Sequence, residues 1–362
     1  MLRKLIRNHQ LLLIVVIAIL IGGSISYGFS LLRHEPAMQK TMTVSSTSFH
    51  YKCSLTDKKS LPCLQQKYAD LTRLRGAAVS FSALKTAYAT DDATRSGCHQ
   101  LTHAIGRAEA DTVKDVSQAY ALGDNFCWSG YYHGVMESLV IRMGEKNLNN
   151  HLATICAPLK AQKPYSFTHY NCVHGLGHGI MVINGSQLFS ALKTCDSLAD
   201  SWERQSCYGG AFMENEMEEV NPNHATNYLK SDEPMYPCTA VGEAYKYQCY
   251  LMQTSHALKL ANNDFVRVFN ECAAVESRYA IVCYQSLGRD ASGNSNSQVE
   301  PTLTNCMYGP DQTARENCII GAVKDFVSYY HSDQQATMLC TALDPSLQSV
   351  CQTTADSYFK TL

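Results

Sequence analysis

Clustered basic charge is missing beyond the first seven positions. No later Lys/Arg-rich run occurs, and 30 Lys and Arg stand against 32 Asp and Glu. A nucleic-acid partner would need a basic stripe to neutralise phosphates, so none is expected. No Gly-rich phosphate loop follows a strand-like run and no G-x-S-x-G elbow is present. Nucleotide chemistry and serine-hydrolase chemistry therefore have no carrier. Alternating β-branched runs are also few, which argues against a sheet protein. Charge is low at 17% and tyrosine abundant at 21 residues, a composition that suits an ordered domain.

The 362 residues suffice to bury a core. Arg3, Lys4 and Arg7 precede an apolar run from Leu11 to Ile21, which continues in diluted form to Leu32. About 22 residues can cross a ~30 Å hydrocarbon core as a helix. The positive flank predicts a cytoplasmic N-terminus, with the main domain outside. Residues 1–32 are thus expected to be a tail and signal-anchor helix that meets the membrane through 11–32, in preference to a cleaved signal peptide. Residues 33–50, rich in Ser and Thr, read as a tether.

All 16 cysteines follow residue 52, as an exported domain in an oxidising compartment permits. Seven close pairs stand out: Cys53/Cys63, Cys156/Cys172, Cys195/Cys207, Cys238/Cys249, Cys272/Cys283, Cys306/Cys318 and Cys340/Cys351. Cys98 and Cys127 remain and pair by default. From Cys172 onward the second cysteine recurs every ~33–42 residues, a period typical of helix–turn–helix repeats. An apolar-periodic stretch leads into each first cysteine, a polar turn follows, and the second cysteine is expected to open the next helix. Two antiparallel helices joined by a short connection bring such positions within disulfide reach. Each closed loop is about a dozen residues, so each bridge contributes roughly 2–3 kcal/mol in the chain-entropy model. The expected fold is all-α: an N-terminal transmembrane helix, then a disulfide-stapled αα-hairpin repeat domain. Its two parts would be 51–190 and 191–362.

Over residues 195–351 this texture, with Cys272/Cys283 and the following YQSLG, resembles the disulfide-stapled Sel1-like and tetratricopeptide-like helical repeats. The resemblance implies a protein-binding scaffold, with a partner on the repeat surface. The chain departs from the pattern in its longer intervals and in lacking the Gly-rich turn.

The helices after Cys98, Cys127 and Cys172 differ from the later ones. The last two share C-x-x-G-x-x-H-G-x-M. Each of the three carries two potential ligands four residues apart: His99 and His103, His133 and Glu137, His174 and His178. That spacing puts both side chains on one helical face, one turn apart, so two imidazoles can grip one ion. Five imidazoles and a carboxylate suit Zn, Cu, Fe or Mn, and can serve one ion or two. Glu137 is the candidate ligand or general base. The interior glycines Gly130, Gly134, Gly175, Gly177 and Gly179 each cost about 1 kcal/mol relative to Ala in a helix. Either close helix packing or room for a ligand must offset that. Tyr131, Tyr132, Met136, Met181 and Met213 are expected to line the same region.

His151, His224 and His256 read as structural, as does His169, the best placed to be an extra ligand. Glu214 and Glu216 could add carboxylates to the site but read rather as a solvated acidic face. Two functions follow: a membrane-anchored metal-binding repeat protein that can act as a metalloenzyme, or a non-enzymatic scaffold whose histidines are packing residues. Convergence of the six side chains separates them.

Overall fold

The computed structural model describes residue 53 and residues 60–113, 115–217 and 226–360. The expected anchor at 11–32, the tether at 33–50 and His224 lie outside the described residues. Among the described residues, no helix is long and apolar enough to cross a membrane.

The described chain is all-helical, with no strand. A series of long helices packs each on the next: Ser60–Arg75, Cys98–Ala110, Gly130–Met143, Phe167–Ile183, Ser201–Met217, Glu243–Met252, Ser277–Asn294, Gln312–Tyr330 and Pro345–Phe359. Shorter helices such as Leu188–Cys195, Phe265–Ala273 and Val299–Met307 precede members of this series and pack on them as hairpin partners. The expected boundary at 190/191 falls between Phe167–Ile183 and Ser201–Met217, which pack directly on one another. Lys52–Leu362 form one unit, with a continuous apolar core from Leu64 to Ala355.

All eight expected disulfides are formed, Cys98–Cys127 included, with Cα–Cα separations of 5.4–5.8 Å. One detail is corrected. Cys207, Cys249, Cys283, Cys318 and Cys351 do not open their helices but each stand seventh in them. Caps upstream set the true starts: Asp200 accepts from the backbone N–H of Trp202 and Glu203, and Asp311 from that of Ala314. These carboxylates satisfy donors that a helix end leaves orphaned.

Glycine makes the close approach between neighbouring long helices. A Cβ on Gly177 would stand 2.1 Å from the Cys207 carbonyl oxygen, and one on Gly210 1.9 Å from that of His174. The same reciprocal contact joins Gly106 to Tyr131 and Gly134 to His103, then Gly288 to Cys318 and Gly321 to Gln285. Backbone proximity therefore offsets the helix cost of Gly134 and Gly177. Gly210→Ala is expected to cost about 1–3 kcal/mol or more, because a carbonyl oxygen on a rigid helix cannot yield as a flexible side chain can. A urea midpoint unchanged from the unmutated chain would refute this.

The later helices return onto the earlier ones. Trp128 Nε1 donates to Asp325 Oδ1 at 2.9 Å, and the Tyr329 hydroxyl meets that of Tyr88 at 2.8 Å. The Phe167 and His331 rings lie 4.3 Å apart. These contacts span nearly 200 residues or more in the first two cases, and they lie beside the helices that bear the paired histidines.

Candidate metal centre

The i, i+4 pairs predicted on three helices meet in one place. His99 and His103 lie on Cys98–Ala110, His133 and Glu137 on Gly130–Met143, His174 and His178 on Phe167–Ile183. Five imidazole rings form a continuous group. His133 stacks on His178 at 4.7 Å and 19°, and stands 4.9 Å from His174, 5.3 Å from His103 and 5.5 Å from His99. Four of the five histidines, and Glu137, are at most 4% exposed, while His99 is half-buried.

Helix packing explains the convergence. Gly134 lets the Gly130 helix touch the backbone at His103, and Gly210 lets the Ser201 helix touch the backbone at His174. One turn further along each helix of the second pair, His178 Nδ1 donates to Glu214 Oε2 at 2.6 Å. In the first pair the carboxylate reaches back to the contact instead: Glu137 Oε1 accepts from His103 Nδ1 at 2.5 Å, and Glu137 Oε2 from Arg107 Nη1, one turn along from His103, at 2.6 Å. In the third pair of this kind Lys324 donates to the Gln285 side chain at 3.0 Å, in the places that Glu137 and His103 occupy in the first. The later repeats thus keep the packing and lack the ligands.

Each outer histidine is anchored through Nδ1. His99 donates to the Cys127 carbonyl at 2.9 Å, and His174 Nδ1 meets the Tyr170 hydroxyl at 3.1 Å. With His103 and His178 held by carboxylates, four Nε2 atoms remain for the interior. Such outer partners fix ring orientation in metal sites and raise ligand basicity. His133 Nδ1, His174 Nε2 and His178 Nε2 are buried with no hydrogen-bond partner. A buried, unsatisfied polar atom ordinarily costs 1–3 kcal/mol, so three together demand a reason.

Burial pushes His99 down to about 3 and, with the crowding of like rings, holds His133 and His174 well below the ordinary histidine range. These rings are neutral near pH 7, the form that ligates a metal. Burial pushes the Glu137 carboxyl up, but His103 and Arg107 outweigh it and hold it well below the usual carboxylate range.

Three sets of potential ligand atoms lie within 4.8 Å of one another: His99, His103 and His133; His133, His174 and His178; and Glu137, His178 and Glu214. These groups can hold a metal ion. Glu214 is the member that sequence reasoning passed over as part of a solvated face. Its signal was its place four residues after Gly210, one turn along from the contact with His174. Glu137 has both oxygens on protein donors, a position suited to orienting His103.

Other expected neighbours point elsewhere. The Tyr131 hydroxyl donates to the Ala119 carbonyl and its ring meets Phe81, while the Tyr132 ring meets Tyr120. Tyr131 stands two residues from His133, about 200° round the helix, and so faces away. Met136 packs where a Gly175 Cβ would be. His169 uses both nitrogens, one toward Glu203 and one accepting from the Tyr165 N–H, which is a structural role. His256 Nε2 donates to the Lys230 carbonyl, and His151 is exposed.

Compared with protein-family models, with curated proteins and with solved structures, the chain shows no match. The likeness to Sel1-like repeats stays one of spacing and texture. The fold and site define a class: among the described residues, an all-helical, disulfide-rich protein with a buried histidine cluster. Its eight disulfides suit an oxidising, extracytoplasmic compartment.

Proposed function

We propose that this chain is a membrane-anchored, extracytoplasmic helical repeat protein that binds a transition-metal ion through His133, His174 and His178. Residues 11–32 would form the anchor, with the N-terminus cytoplasmic. The observation that carries the metal reading is that His133, His174 and His178 bring potential ligand atoms within 4.8 Å of one another and each keeps a buried ring nitrogen without a partner, two of them on rings anchored at the opposite nitrogen. Metal–imidazole bonds of about 2.0–2.1 Å place ligand nitrogens roughly 3–4 Å apart, a spacing this cluster can reach. Imidazole donors suit Zn, Cu, Fe or Mn, and every cysteine of the chain is spent in a disulfide.

Three imidazoles leave a coordination position open, as catalytic sites do. When bound, the metal would supply Lewis acidity or redox chemistry at that position. Glu137 and Glu214 would hold His103 and His178 in place as positioning residues. The alternative of a scaffold with packing histidines leaves the three ring nitrogens without a reason.

The test is elemental analysis of the full chain, purified without a His-tag. At least one Zn, Cu, Fe or Mn per chain is expected, and His174→Ala should weaken retention at least tenfold. No metal above background, with no thermal stabilisation on adding any of the four, would sink the reading.

A further inference from the structure

His133 belongs to two ligand sets at once, and the five histidines do not form a single one. The second set has a feature of its own. His99 Nε2 and His103 Nε2 face each other at 3.1 Å. His99 Nδ1 must donate, because its partner is the Cys127 carbonyl oxygen. His103 Nδ1 must donate too, because its partner is an oxygen of the Glu137 carboxylate, whose other oxygen accepts from Arg107. A neutral imidazole carries one proton, so both Nε2 atoms present bare lone pairs to each other. Two lone pairs at that distance need a cation between or beside them. A proton would satisfy two nitrogens, but His133 brings a third within 4.8 Å. Three nitrogens in reach are what a metal ion uses and a proton does not.

We propose that the cluster is a two-ion centre, with a second transition-metal ion held by His99, His103 and His133, and His133 bridging it to the ion at His174 and His178. The two nitrogens of one imidazole lie on opposite sides of the ring, so one ring can serve both ions. The bridging form carries no ring proton: when the second ion binds, the His133 ring releases one proton to solvent and keeps the electron pair that becomes its second metal bond. The second site lies toward the half-buried His99, the least enclosed of the five histidines, which makes it the more exchangeable position. This inference rests on the proposal that the cluster binds metal at all.

The test strips the full chain with a chelator and titrates it with Cu(II). Two equivalents per chain are expected. His103→Ala and the milder edge variant His99→Gln should each bind one, and so should His178→Ala. The electron paramagnetic resonance signal per copper should be strongly reduced in the two-copper protein by coupling through the bridge. It should return in the single-site variants. The measurement on the unmutated chain needs no variant to fold. One equivalent in the unmutated chain, unaffected by His99→Gln, would overturn the two-ion proposal and leave the first site standing. Two equivalents with full, uncoupled signals would overturn the bridge. No binding at all would overturn the metal reading beneath it.

Discussion

Glu137→Ala is expected to destabilise the protein by about 1–3 kcal/mol, the usual cost of leaving a buried hydrogen-bond donor unsatisfied. Glu137 is 4% exposed and takes His103 on one oxygen and Arg107 on the other. Arg107 can turn to water, since its side chain is 37% exposed. His103, at 3%, cannot. Glu137→Gln separates charge from shape. The amide fills the same space and can still accept from one donor, so stability should fall by less than in the alanine variant. Metal affinity should fall about 10–100-fold, the usual effect of losing a ligand's outer partner. Urea denaturation of the metal-free chain and a metal competition titration read the two effects. Equal stability for Glu137→Ala and the unmutated chain would remove the carboxylate from the architecture of the centre.

Acid is expected to destabilise the metal-free protein from about pH 6.5 downward. The sign follows from burial. His99, held at about 3, and His133 and His174, held well below the ordinary range, resist protonation when folded. In the unfolded chain they take up a proton near pH 6.5. The unfolded state therefore binds more protons in this window, and stability falls as pH falls, until the folded rings titrate as well. Between pH 7 and pH 5.5 each such ring contributes a loss of about 1 kcal/mol, so the fully buried His133 and His174 together contribute about 2 kcal/mol. Bound metal should oppose this, by about 2.7 kcal/mol when free ion stands at 100 times its dissociation constant. Metal and protons compete for the same nitrogens, so the protection itself should fade in acid. Denaturation midpoints at pH 7 and pH 5.5, with and without Zn(II), give the four values needed. A metal-free midpoint that is flat or rising toward pH 5.5 would contradict the neutral burial of these rings.

Cysteine order and helical spacing alone determined much of this protein. Sixteen cysteines in short intervals can be paired from the chain because a disulfide spans about 6 Å and a hairpin brings only near neighbours that close. His99/His103, His133/Glu137 and His174/His178 could be placed on common faces because the helical period is local. Their meeting was not local. It depends on how deeply neighbouring helices interlock, which Gly134 against His103 and Gly210 against His174 decide. The same interlocking brought Glu214 to His178, although its own segment reads as an acidic surface. Tyr131 and Tyr132 failed as site residues for the converse reason: their faces of the helix were claimed by Phe81, Tyr120 and the Ala119 carbonyl. Which nitrogen of each histidine is anchored and which is left free depends on partners 4 to 36 residues away along the chain. A side chain's spacing is written in its own helix, but its hydrogen-bond partners are set by the packing of several helices, and only the tertiary structure supplies that.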